Sequence, residues 1–113
     1  MIVMNRRTKI FISKEPTDMR ASYDSLYNKV KNILDEDPMS GHMFVFINKR
    51  RNSCKCLYYD GTGLVIVSKR MEQGLFSKIN PYHQGKIKLT QAEFNLFFEG
   101  TDVSHQKSTL TQM

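Results

Sequence analysis

A chain of 113 residues, 40% hydrophobic and 25% charged, fits one soluble globular domain with a core of modest size. No apolar run is long enough to span a bilayer, and the short start Met1-Ile2-Val3-Met4 has Arg6 and Arg7 on the wrong side for a signal peptide, so a cytoplasmic protein is expected. The net charge of +6 favours a polyanionic partner, while Cys54 and Cys56 stand too close for an unstrained disulfide and read as reduced thiols.

In chain order, Lys9 to Ser13 reads as a short strand that Pro16 ends. Thr17 then stands where a helix cap is wanted, with Asp18 in the first turn. Met19, Tyr23, Leu26, Tyr27, Val30, Ile33 and Leu34 form the apolar stripe of an amphipathic helix. It runs into Asp35-Glu36-Asp37-Pro38, where Pro38 disfavours helix and the acids read as a solvated end. Ser40-Gly41 supplies a turn.

Met43 to Ile47, Cys54 to Tyr59 and Leu64 to Ser68 read as three strands of an antiparallel meander. The first is apolar on both faces and belongs at the centre of the sheet or under the helix. Asn48 to Ser53 is a turn loaded with cations, and Asp60-Gly61-Thr62-Gly63 is a hairpin signal. Residues 71–85 read as irregular, broken by Gly74, Pro81 and Gly85. Lys86 to Leu89 makes one more strand. Thr90-Gln91-Ala92-Glu93 has the form of a capping box, Phe94, Phe97 and Phe98 follow as an apolar face, and Gly100 stops the helix. The fold expected is α+β over residues 1–100: a small antiparallel sheet, made of the meander and short flanking strands, packed with one long and one short helix. A disordered polar tail is expected over 101–113.

No catalytic constellation emerges. There is no nucleophile elbow and no phosphate loop. Cys54 and Cys56 form one ligand pair where structural zinc sites show two, and His42, His83 and His105 are scattered, so neither metal nor cofactor is expected. Among the carboxylates Asp18, Asp24, Asp60, Glu72 and Glu93, a helix start accounts for Asp18, a turn for Asp60 and a capping box for Glu93, and a transposase catalytic domain needs a larger sheet than this chain can build.

Charge is uneven along the chain. Residues 1–14 carry +4, residues 15–40 carry −3, residues 41–78 carry +5 and the remainder balances. Lys49, Arg50 and Arg51 occupy the cationic turn, Lys55 follows on the next strand, and Lys69 and Arg70 end the third. Antiparallel pairing would gather these six along one edge as a nucleic-acid-binding surface, with Tyr58 or Tyr59 able to stack on a base. The residues do not distinguish DNA from RNA.

The chain resembles the small accessory proteins, often called TnpB or the second open reading frame, of IS66-type bacterial insertion sequences. The likeness begins at Pro16-Thr17-Asp18-Met19-Arg20 and continues through Tyr23 and Leu26. It is most specific at Asp37 to Phe46, which includes Pro38, Gly41, His42 and Phe44, and at Asn48 to Arg51. It resumes at Lys55, Leu57 to Gly61, which includes Asp60, and Gly63, then at Lys69 to Phe76, which includes Glu72 and Gly74, and at Leu89-Thr90. Family members carry Trp in place of Tyr59, Leu in place of Met71 and Arg in place of Leu75, and Ser77 to Gln84 lacks their Trp-Pro. The resemblance implies a non-catalytic helper in transposition, beside a separate transposase that bears the catalytic acids. Two partners follow as expectations. One is nucleic acid of the element ends. The other is the transposase itself, docked through His42 to Phe46 or Asp35 to Asp37.

Overall fold

Met43-Phe44-Val45-Phe46-Ile47 offers no polar side to water, so it is stable only with both faces covered. In the computed structural model, which describes residues 4–78 and 86–100, this run is the middle strand of a five-stranded sheet. The elements are β1 (Ile10–Ser13), α1 (Tyr23–Asn32), β2 (Met43–Ile47), β3 (Ser53–Tyr59), β4 (Leu64–Arg70), β5 (Lys86–Leu89) and α2 (Gln91–Glu99), and the strand order is β4-β3-β2-β1-β5. Alternate residues of each strand serve opposite faces. Met43, Val45 and Ile47 join Ile10, Ile12, Cys54, Cys56, Phe76 and α2's Phe94 and Phe97 on one face. Phe44 and Phe46 join Phe11, Leu57 and α1's Leu26 and Val30 on the other.

The α+β class and the β2-β3-β4 meander are those the sequence predicts. The sheet is larger and mixed rather than antiparallel throughout. β1 lies parallel to β2, with Ile10 opposite Met43 and Ile12 opposite Val45, and β5 pairs antiparallel to the outer side of β1. Parallel neighbours need a long crossover, which the chain between Ser13 and Met43 provides. Such a pairing leaves no turn signature in the sequence, unlike the two hairpins.

α1 starts later than the sequence suggests. Thr17 is buried and its N–H donates to the Ile47 carbonyl at 2.8 Å, which holds this stretch extended against β2. Asp18 closes a turn instead, with the Ala21 N–H on its carbonyl, and Ser22 is the N-cap. α1 thus spans ten residues, one more than α2. It ends where Asp35 takes a left-handed φ of 54° and the Glu36 N–H reaches back to the Val30 carbonyl. The acids beyond it are not all solvated: the Glu36 carboxylate accepts from Lys86 Nζ at 2.7 Å.

The capping box forms as predicted. Thr90 Oγ1 accepts from the Glu93 N–H at 3.0 Å, and Glu93 Oε1 accepts from the Thr90 N–H at 2.8 Å. The tail expected from Thr101 lies outside the described residues, as do His83 and His105. No helix among the described residues is long and apolar enough to cross a membrane.

Candidate nucleic-acid interface

One side chain organises the turn of the β2–β3 hairpin. Asn48 Oδ1 accepts from the N–H groups of Asn52 and Ser53, both at 3.0 Å, and Asn48 Nδ2 donates to Asn52 Oδ1. The Arg51 N–H closes a turn on the Asn48 carbonyl, and Arg51 sits at a positive φ of 60°. Lys49 and Arg50 are the two central residues of that turn and are exposed. The tip is then stapled to the segment after β4. The Asn52 carbonyl accepts from the Met71 N–H and the Arg51 carbonyl from the Phe76 N–H, each at 2.7 Å.

The six cations singled out from the sequence do gather near this end of the sheet, where Ser53 pairs with Arg70 and Cys54 with Lys69. They do not share a role or a face. Lys55 Nζ donates to the Ala21 carbonyl at 2.7 Å on the α1 side. Lys69 lies on the opposite side, where its Nζ donates to the Phe98 carbonyl at 2.6 Å and sits 4.7 Å from the Phe98 ring centroid. The Arg51 guanidinium donates to the Phe76 carbonyl at 3.3 Å. Arg70 faces Glu72 at 3.6 Å in a largely solvated pair, a geometry worth little. Lys49 and Arg50 alone of the six have no hydrogen bond or ion pair to another described residue.

Two cations missing from the sequence-derived set belong here. Lys14 and Lys78 join Lys49 and Arg51 around a cavity of about 350 Å³ whose other lining residues include Glu15, Pro16 and Ile47. Lys14 follows β1, so only the parallel pairing of β1 with β2 carries it to the hairpin tip. A further cavity of about 420 Å³ opens among Lys55, Lys69 and Arg70. Tyr58 and Tyr59 are half-buried on β3, and Tyr59 Oη donates to the Gly61 carbonyl.

The remaining motif residues are explained by folding. Arg20 grips Asp18 through Nη2 at 2.7 Å and through its own N–H, which holds the Asp18 carboxyl down to about 2. Asp60 accepts from the Thr62 and Gly63 N–H groups at 2.9 Å each, which lowers its pKa, and Gly61 beside it has a φ of 105°. His42 Nδ1 accepts the Lys9 N–H at 3.0 Å and so aligns the start of β1 with that of β2. Phe44 and Pro38 are fully buried, and Gly41 and Gly74 take positive φ. Cys54 and Cys56 face one way with their sulfurs 3.8 Å apart, and the Cys54 contact together with burial raises the Cys56 thiol pKa. No group of three or more potential metal ligands occurs among the described residues.

These features define a small, basic α+β protein with two unengaged cations, Lys49 and Arg50, on a turn organised by Asn48. The chain belongs to the IS66 Orf2-like family, matched over residues 8–108, which is the accessory-protein family that its motifs resemble. Two proteins of Sinorhizobium fredii are similar along nearly the whole length. The uncharacterized protein y4jC is 33% identical over 107 residues, covering 95% of this chain and 91% of its own. The uncharacterized protein y4hO is 28% identical over 110 residues, covering 96% and 94%. No solved structure matches the chain.

Proposed function

We propose that the protein is a non-catalytic accessory factor of transposition that binds nucleic acid of its insertion sequence through the β2–β3 hairpin tip. The observation that supports this most is the contrast among the basic residues. Arg51, Lys55 and Lys69 spend their hydrogen bonds on backbone carbonyls, whereas Lys49 and Arg50 stand exposed on a turn fixed by Asn48. Cations held ready in this way suit phosphate contacts, Arg in bidentate fashion and Lys as a point charge. Arg51, Lys14 and Lys78 add positive potential beside the tip.

Titrating a labelled element-end duplex at several salt concentrations tests this. Lys49→Ala/Arg50→Ala should weaken binding and lower the slope of log K against log salt by about two, one phosphate per cation. Unchanged affinity and slope would exclude the tip as the interface.

Docking on the transposase is the second reading. Of the two segments that the sequence suggests for it, His42 to Phe46 is buried in β2 from Met43 onwards and leaves only the half-buried His42 at the surface. The acidic end of α1 is: Asp35 and Asp37 are exposed beside Met39, which is 49% exposed. A pull-down with the transposase should survive nuclease treatment and weaken in Asp35→Asn/Asp37→Asn if this surface is used.

A further inference from the structure

A second turn in the molecule is built like the hairpin tip. At Asn5-Arg6-Arg7-Thr8 the Thr8 N–H closes on the Asn5 carbonyl at 3.1 Å, as the Arg51 N–H closes on that of Asn48. Asn5 Oδ1 accepts from the Arg7 N–H at 2.8 Å, and Thr8 Oγ1 accepts from the Asn5 N–H at 3.2 Å. Gln91 of α2 donates to the Asn5 carbonyl and ties the turn to the body. Each turn therefore presents two adjacent exposed cations at its centre, Arg6 and Arg7 in one, Lys49 and Arg50 in the other.

Around the first turn a cavity of about 680 Å³ is lined by Arg6, Arg7, Lys9 and Lys88 with Thr90 and Gln91, and among the described residues by no carboxylate. None of those four cations makes a side-chain hydrogen bond or ion pair to another described residue, and all four are exposed. A pocket of unopposed positive charge is an anion site by elementary electrostatics.

The topology sets the two turns apart. β1 and β2 run parallel and in register, so the turn before β1 and the turn after β2 lie at opposite ends of the sheet. The five steps from Lys9 to Lys14 alone cover roughly 16 Å, more than the ~12 Å width of a major groove. The helical layers between the two ends do not carry a continuous basic track. α1 itself sets Asp24 against Lys29 and Lys31, with the exposed Asp35 and Asp37 just past its end, and α2 holds Glu93 and Glu99 with no Lys or Arg. A single duplex spanning both ends would cross the acids of α2 on one face and Asp35 and Asp37 beside α1 on the other.

We propose that Arg6, Arg7, Lys9 and Lys88 form a second phosphodiester-binding site, and that one chain holds two separate nucleic-acid segments, one at each end of its sheet. This goes beyond the reading of the hairpin tip and rests on it only for the class of ligand. The test counts duplexes per chain in the full-length protein by native mass spectrometry and sedimentation, with a short duplex of about one helical turn, ~10 base pairs, in excess. Two duplexes per chain are expected for the wild type and one for Arg6→Ala/Arg7→Ala. Arg6→Lys/Arg7→Lys should restore the second, which separates charge from folding. Lys49→Ala/Arg50→Ala should also leave one duplex, and combining the two alanine pairs should leave none. An Arg6→Ala/Arg7→Ala variant that still binds two duplexes, or a wild type whose single duplex survives Arg6→Ala/Arg7→Ala, overturns the second site; a single duplex that this variant loses overturns the tip instead. If Lys49→Ala/Arg50→Ala still binds two duplexes while Arg6→Ala/Arg7→Ala loses one, the tip reading falls and the second site stands.

Discussion

Lys69 and Arg50 carry the same formal charge but do different work. Lys69 reaches from β4 to the Phe98 carbonyl in the last turn of α2, a helix with no basic residue of its own there. It thereby satisfies a free carbonyl and opposes the negative end of the helix. Lys69→Met keeps the aliphatic stem but removes that bond, the charge at the helix end and its contact with the Phe98 ring, so it should cost about 1–2 kcal/mol in denaturant unfolding. Lys49→Ala, on a solvated turn, should stay within about 0.5 kcal/mol. Acid sensitivity is also set by single residues. Asp18 is held down to about 2 by the Arg20 side chain and then its N–H, and Asp60 is lowered by the Thr62 and Gly63 N–H groups. Both carboxyls bind protons less readily folded than unfolded, so their contribution is complete above about pH 4 and fades as pH falls below it. The thermal midpoint should therefore drop as pH falls from 4 towards 2. Asp18→Asn/Asp60→Asn, which cannot titrate, should flatten that drop when both proteins are melted across the same pH series.

Among the elements, those fixed by neighbouring residues were legible from the sequence. The Thr90–Glu93 box and the Asp60-Gly61 turn each rest on bonds spanning three residues or fewer. Thr90→Ala should accordingly cost about 1 kcal/mol by chemical denaturation, the usual worth of an N-cap. Gly100 ends α2 at a φ of 74°, and the Met71 side chain and the Leu75 carbonyl occupy the space that a Cβ would need, so Gly100→Ala should destabilise for both reasons. Thr17 has the chemistry of a cap but not the place of one, because its N–H is taken by Ile47, thirty residues further along. The candidate site divides in the same way. The tip cations Lys49 and Arg50 were readable from their turn, since their position is local. The engagement of Lys55 and Lys69 by Ala21 and Phe98, and the arrival of Lys14 beside the tip, depend on pairings between distant segments that no spacing encodes.

At the scale of the whole molecule, the parallel β1–β2 pair decides where charge is displayed, because it sends one cationic turn to each end of the sheet. The two ends need not be equally firm. β2 is hydrogen-bonded on both sides and buried at all five positions, so its amides should exchange only when the protein unfolds globally. β5 is an edge strand of four residues that, among the described residues, pairs only with β1. Lys86 fastens it to the end of α1, with its Nζ on the Leu34 carbonyl and the Glu36 carboxylate, each at 2.7 Å, and over the Phe11 ring. That clasp is partly shielded, the side chains being 29% and 26% exposed, so it should hold better than a solvated ion pair. Glu36→Gln should accordingly speed amide hydrogen exchange in β5 while leaving Met43 to Ile47 at the global rate. Equal acceleration in both strands would mean that the clasp supports the whole fold rather than its edge. Because Lys88 sits on β5, local loosening should also weaken duplex binding at the Arg6–Arg7 turn more than at the Lys49–Arg50 tip, a difference that the stoichiometry measurement on Glu36→Gln can read directly.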